Sequence, residues 1–133
     1  MQEIIVDGNS LTFEAVEQVA CYNTPIRLSD SSKEKVAKCR AYVDKIIESG
    51  EIVYGLNTGF GKFSTVNIPE ENIAELQLNL IRSHSTNIGE PYSEVQTRAI
   101  MLLRIAVLAK GHSGIRLETL ETLVQMLNKG IQP

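Results

Sequence analysis

Apolar positions recur along this chain in short runs and at helical spacing, separated by clusters of Gly, Pro, Asn and Ser. Ile4 to Val6 form a brief apolar run ahead of the turn composition Asp7-Gly8-Asn9-Ser10, which predicts a short strand. Thr12 can cap a helix over Phe13 to Cys21, where Phe13, Val16 and Ala20 keep helical spacing, and Asn23-Thr24-Pro25 stops it. Arg27 and Leu28 read as loop or a brief extended piece. Ser31 and Glu34 form a capping box for a helix with Val36, Cys39, Val43, Ile46 and Ile47 on one face and Gly50 as its stop. Lys33, Lys38, Asp44 and Glu48 lie opposite, so this helix is expected at the surface.

The second half of the chain is more helical still. Pro69 suits a first helical turn, and Glu70 and Glu71 suit the positive end of the helix dipole. Ile73, Leu76, Leu80 and Ile81 form the expected buried stripe, running to Ser83 or His84. A turn over Asn87 to Pro91 precedes a second capping box, Ser93 to Gln96. From Ala99 to Leu108 the residues are apolar on all sides, a pattern that predicts burial all round. A chain of this size has few elements to wrap such a helix, which suggests part of something bigger. Leu120, Val124 and Leu127 define a last helix over Leu117 to Leu127. The abrupt stop at Pro133, with no polar tail, is expected of a truncated polypeptide. The fold class is therefore mainly α: short N-terminal strand or hairpin elements, then a bundle of about five helices. A Gly-rich loop separates the second and third helices.

Composition narrows the function classes. At 133 residues the chain is at most one domain, spanning 1–133. Hydrophobic residues make up 43% and charged residues 22%, an ordinary globular balance. A net charge of −3 with no basic stripe argues against a nucleic-acid partner. The longest apolar stretch, Ala99 to Ala109, is interrupted by Arg104 and too short to span a bilayer, so no membrane partner is expected. Met1-Gln2-Glu3 does not resemble the start of a signal peptide. Cys21 and Cys39 have neither metal-ligand nor redox spacing and are expected as buried free thiols, in keeping with a reducing cytoplasm. No metal site is expected.

The candidate chemistry centres on Tyr54-Gly55-Leu56-Asn57-Thr58-Gly59-Phe60-Gly61. Three glycines so close together cost chain entropy, and mark a tight crossing or the wall of a site. Two phosphate motifs fail here. Gly61-Lys62 is followed by Phe63, with Leu56 where a P-loop needs its first glycine. Ser64 stands where the dinucleotide fingerprint needs its third glycine. Tyr54 is the ionisable side chain of the loop. A phenol, with a pKa near 10, acts as a base at neutral pH only if neighbours such as N–H donors stabilise its anion. On residues alone, a tyrosine ending a short apolar run reads as half-buried packing. His84, in Ser83-His84-Ser85, reads likewise as a last-turn histidine favoured by the helix dipole. Gly111-His112-Ser113-Gly114 lacks the strand and final glycine of a nucleophile elbow, so His112 and Ser113 are expected as solvated turn residues. Arg98 and Arg104, in the apolar helix, need carboxylate or carbonyl partners if buried.

Three segments together resemble the aromatic amino-acid ammonia-lyases. Tyr54 to Gly61 is similar to that family's Tyr-Gly-x-Asn-Thr-Gly-Phe-Gly signature. Asn79-Leu80-Ile81-Arg82-Ser83-His84 is similar to the segment bearing its substrate contact. Lys110 to Arg116 resembles its Lys/Arg-Gly-x-Ser-Gly-Ile/Val-Arg turn. The Ser83-His84 pair is similar to the histidine-specific branch, while tyrosine lyases also carry a histidine there and phenylalanine lyases an apolar aromatic residue. The resemblance implies elimination of ammonia from L-histidine to urocanate. Tyr54 is implied as the base that takes the β-proton, and His84 as a hydrogen-bonding contact to the substrate side chain. Gly61 is implied to let the substrate approach the backbone. The electrophile is implied to be a methylidene-imidazolone (MIO) ring, self-formed from an Ala-Ser-Gly tripeptide, within a homotetramer. These 133 residues contain no Ala-Ser-Gly, so the prosthetic group is not expected to form in this polypeptide. The alternatives are a tyrosine or phenylalanine lyase or an aminomutase of the same family, or a helical interaction module without chemistry.

Overall fold

A computed structural model describes residues 3–56, 58 and 68–133, without the side chains of Glu70, Glu71 and Ile73. The expected Gly-rich loop beyond Thr58, including Gly61, lies outside the described residues. So do the expected roles of Ile73 in the buried stripe and of Glu70 and Glu71 at the helix dipole.

The elements run β1 (Ile4–Val6), α1 (Phe13–Tyr22), β2 (Ile26–Leu28), α2 (Asp30–Ser49), α3 (Glu70–His84), α4 (Glu94–Leu108) and α5 (Leu117–Asn128). The fold is mainly helical, with short strands ahead of the helices. Two compact units share the chain: Met1–Tyr42 with Pro91–Pro133, and Val43–Glu90.

In the first unit β1 and β2 pair in parallel, Ile4 with Ile26 and Val6 with Leu28. A hairpin cannot make that pairing; parallel strands need a crossover, and α1 supplies it. The far edge of β2 meets the Asn128 side chain. Its Oδ1 accepts from the Ile26 N–H at 2.9 Å, and its Nδ2 donates to the Ile26 carbonyl at 2.8 Å. A single amide thus imitates a neighbouring strand and blunts the edge.

Helix starts follow their caps. Thr12 Oγ1 accepts from Ala15 N at 3.2 Å at the head of α1. Ser93 and Gln96 form the expected capping box of α4. The α2 start is different: Ser29, not Ser31, takes the Ser32 N–H on its side chain at 3.1 Å, and the helix begins at Asp30. Ser32 is fully buried and receives a hydrogen bond from Ser29 Oγ at 3.0 Å, so the earlier serine has the better-placed acceptor. At the C-terminus of α1, Asn23 takes the left-handed conformation (φ +56°) and both Asn23 and Thr24 donate to the Gln18 carbonyl.

The core joins Val6, Val19, Ile26, Leu28 and Val36 to Met101, Leu102, Ile105, Leu120, Val124 and Leu127. Helix α4 packs against both α1 and α5. It is not buried all round: Met101, Leu102, Ile105 and Leu108 face inward, whereas Ile100, Leu103 and Val107 are about half exposed. Apolar composition on every side marks what a helix could bury, and α1 and α5 cover only part of it. Arg104 is on the exposed side, while Arg98 is 2% exposed. Arg98 Nε and Nη2 donate to the Val19 carbonyl at 3.0 and 2.9 Å, and Nη1 to the Leu127 carbonyl at 2.9 Å. One buried guanidinium therefore closes the C-terminal turns of α1 and α5, where helix carbonyls lack partners and the dipole favours a cation.

The cysteines differ from expectation. Cys21 is exposed and Cys39 half-buried, both as free thiols. The buried face of α1 runs through Val19 and Ala20 instead, and Phe13, at the first helical position, stands in solvent.

Candidate functional site

Both side chains singled out for chemistry fall in the Val43–Glu90 unit. There α2 ends by burying Val43 and Ile46, and Gly50 stops it with φ +70°. Ile52 and Val53 continue as irregular chain rather than a strand, and a turn follows in which Leu56 N donates to the Val53 carbonyl at 3.1 Å. Gly55 takes φ +81° there, a conformation open to glycine and costly for side-chain-bearing residues. Its N–H donates to Thr58 Oγ1 at 3.4 Å, and Thr58 is 1% exposed. A buried threonine thus anchors the turn that displays Tyr54. The phenol is 62% exposed.

Helix α3 carries the second residue. Pro69 stands at its N-cap with no side-chain hydrogen bond, and Arg82 and His84 occupy its last turn. Of the expected buried stripe, Leu76 and Leu80 are half-buried and Ile81 is exposed. His84 is exposed too, but its ring is held: Nδ1 lies 2.9 Å from the Leu80 carbonyl oxygen and 3.0 Å from Ser83 Oγ. Ser83 Oγ donates to the same carbonyl at 2.9 Å. Gly61 lies outside the described residues.

Two open clefts of about 230 Å³ each occur in the other unit. One lies between Phe13 and Leu103, the other among Arg27, Lys33 and Glu121, and neither includes Tyr54 or His84. Lys33 and Glu121 are paired at 3.2 Å across the second. His112 and Ser113 are exposed turn residues, as expected. The turn they occupy sits tight on α2: a Cβ on Gly111 would come within 2.7 Å of the Lys35 Cβ. Among the described residues, no three His, Cys, Asp or Glu side chains are grouped to hold a metal ion. No helix among them is long and apolar enough to cross a membrane.

The family model for aromatic amino acid lyases matches residues 11–133. The chain belongs to that family. It is 50% identical over all 133 residues to the histidine ammonia-lyase of Caldanaerobacter subterraneus subsp. tengcongensis, covering 26% of that protein. Among solved structures, ergothionase from Treponema denticola superposes with a TM-score of 0.93 at 35% identity, over 99% of this chain and 27% of that one. The tyrosine aminomutase of Streptomyces globisporus gives 0.93 at 39% identity, over 99% of this chain and 25% of that one. The chain therefore spans about a quarter of the length of the lyase-family proteins it matches. Family membership puts it among carbon–nitrogen lyases and their aminomutase relatives.

Proposed function

We propose that these residues are the segment of a histidine ammonia-lyase that supplies the catalytic base and a substrate contact. The reaction is elimination of ammonia from L-histidine to give trans-urocanate, a step of histidine catabolism. The observation that carries the reading is the 50% identity to a histidine ammonia-lyase along the whole chain. In this reading Tyr54 Oη takes the β-proton of the bound amino acid, and His84 hydrogen-bonds the substrate's ring. Gly61 lets the substrate approach the backbone. Display of Tyr54 on a glycine turn suits a base that must reach a substrate.

The family's MIO group supplies an electrophile that activates the amino acid. It forms from Ala-Ser-Gly, a tripeptide these residues do not contain, so they cannot generate it. The 133-residue polypeptide alone is expected to be inactive. The enzyme that includes it is proposed to be a cytoplasmic homotetramer.

The test is ultraviolet absorbance of urocanate on incubation with L-histidine. The intact enzyme containing these residues is expected to turn over, and the 133-residue polypeptide is not. An intact enzyme that leaves L-histidine untouched and converts L-tyrosine would establish the second reading. That reading, a tyrosine lyase or aminomutase, draws support from the likeness to the Streptomyces globisporus enzyme.

A further inference from the structure

We propose that Ser83 and the Leu80 carbonyl are positioning groups that hold the His84 imidazole as its Nδ1–H tautomer. The Nε2 lone pair is then left as the acceptor that reads a donor on the substrate's aromatic side chain. The functional half of this inference rests on the reading of His84 as a substrate contact.

A carbonyl oxygen only accepts, so an imidazole nitrogen 2.9 Å from the Leu80 oxygen bonds to it only by carrying the proton. In the other tautomer two lone pairs would face each other at that distance. The Ser83 hydroxyl could then relieve Nδ1 only by turning its proton away from the Leu80 oxygen, 2.9 Å away. With the proton on Nδ1, no two lone pairs are forced to face each other. Ser83 Oγ–H and Nδ1–H both donate to the Leu80 carbonyl, and the serine oxygen at 3.0 Å is a second acceptor for the same N–H. Which ring nitrogen is protonated is set by the bond the other makes.

The consequence is a choice of substrate class. An acceptor at Nε2 pairs with a ring N–H or a phenolic O–H, whereas a plain phenyl ring offers it nothing. Ser83 touches no substrate in this account; it acts through His84.

The chain has two histidines, and His112 in its exposed turn is the internal reference. Nitrogen-15 NMR of the imidazoles, recorded in alkaline buffer where histidine rings are neutral, reads the tautomer directly. His112→Asn assigns the two rings. His84 is expected as Nδ1–H; in Ser83→Ala, where the Leu80 carbonyl is the one remaining acceptor, the Nδ1–H share is expected to fall in part, and Ser83→Thr to restore it. In the intact enzyme, Ser83→Ala is expected to shrink discrimination between L-histidine and its ring-N-methylated analogues about tenfold, with Ser83→Thr recovering it. A His84 ring with Nδ1 unprotonated, or one unmoved by Ser83→Ala, overturns the proposal whether or not histidine is a substrate. Failure of histidine turnover with the tautomer as proposed sinks the substrate assignment instead.

Discussion

The two units of this chain spend their residues differently. Among the described residues, every buried apolar side chain except Val43 and Ile46 belongs to the unit built from both ends of the chain. That unit has a buried cation shared by two helix ends, a capping box and a sheet edge closed by an amide. The Val43–Glu90 unit has the side chains proposed for chemistry and, among its described residues, few that are buried. No described side chain of α3 is fully buried, and Leu78 and Ile81 face solvent. A fifteen-residue helix of ordinary composition is marginal by itself in water, and the described side chains of α3 bury little surface. The side chains proposed for chemistry sit on the unit with fewer described buried residues, where binding elements are commonly drawn from.

The largest effect expected from this division is on catalysis. In the intact enzyme, Tyr54→Phe should lower kcat by about 10²–10⁴-fold, the usual contribution of a positioned base. In the 133-residue chain the same substitution should change thermal unfolding little, because the phenol is 62% exposed there. Near-normal turnover would remove Tyr54 as the base and leave the second unit without its assigned role.

Arg98→Ala tests the scaffold side. It leaves the Val19 and Leu127 carbonyls without their guanidinium donors in residues that are almost wholly buried, and opens a cavity. The expected cost is about 2–5 kcal/mol, from two buried carbonyls left without donors and the cavity beside them. It should show as a fall in the urea midpoint at constant m-value. Arg104→Ala, six residues along on the exposed side of the same helix, should stay within about 0.5 kcal/mol. Equal effects from the two arginines would erase the contrast drawn between them.

Hydrogen exchange sharpens the comparison without mutation. Amides in the buried stretch of α4, Leu102 to Ala106, should exchange at least about a hundredfold more slowly than those of Leu78 to Ile81 in α3. Equal protection would mean that α3 is held as firmly as the core helix.

What could be read from residues alone follows the same division. Elements announced by local chemistry came through: β1, the Thr12 and Ser93 caps, the stripe of α2 and the stop at Gly50 all depend on neighbours in sequence. Errors arose where two local signals competed or where a distant partner decided. Ser31-x-x-Glu34 matches a capping box as well as Ser29 does a cap, and only the burial of Ser32 separates them. Helix α4 is apolar on every side, so its inner face is chosen by α1 and α5, not by its own pattern. That choice also splits Arg98 from Arg104. Pairing of β1 with β2 in parallel depends on α1 folding back between them. At the candidate site, Tyr54 and His84 were found through a family motif; their environments were not legible. The contact of His84 with Leu80 follows from i−4 spacing, yet the part of Ser83 needed coordinates.

The smallest effect concerns the turn after β1. Asp7 Oδ1 accepts from the N–H groups of Asn9 and Ser10, each at 2.8 Å, and the Asn9 bond does most to bring its pKa down from 3.8 to about 2. Glu14 is lowered as well, first by its own backbone N–H and then by the Thr12 hydroxyl. A carboxylate whose pKa is lower folded than unfolded stabilises the fold above its unfolded value. For Asp7 that contribution is fully present above about pH 4 and disappears as pH falls toward 2. Urea midpoints of the parent and Asp7→Ala should therefore differ most above pH 4 and converge toward pH 2. The gap should be small and salt-sensitive, since the carboxylate is in solvent. The turn it shapes is pressed on the end of α4, where a Cβ on Gly8 would lie 3.0 Å from the Ala106 carbonyl oxygen. The variant should accordingly loosen amides of the core unit and leave those of α3 unchanged. A matching change in α3 would mean that the two units do not respond separately.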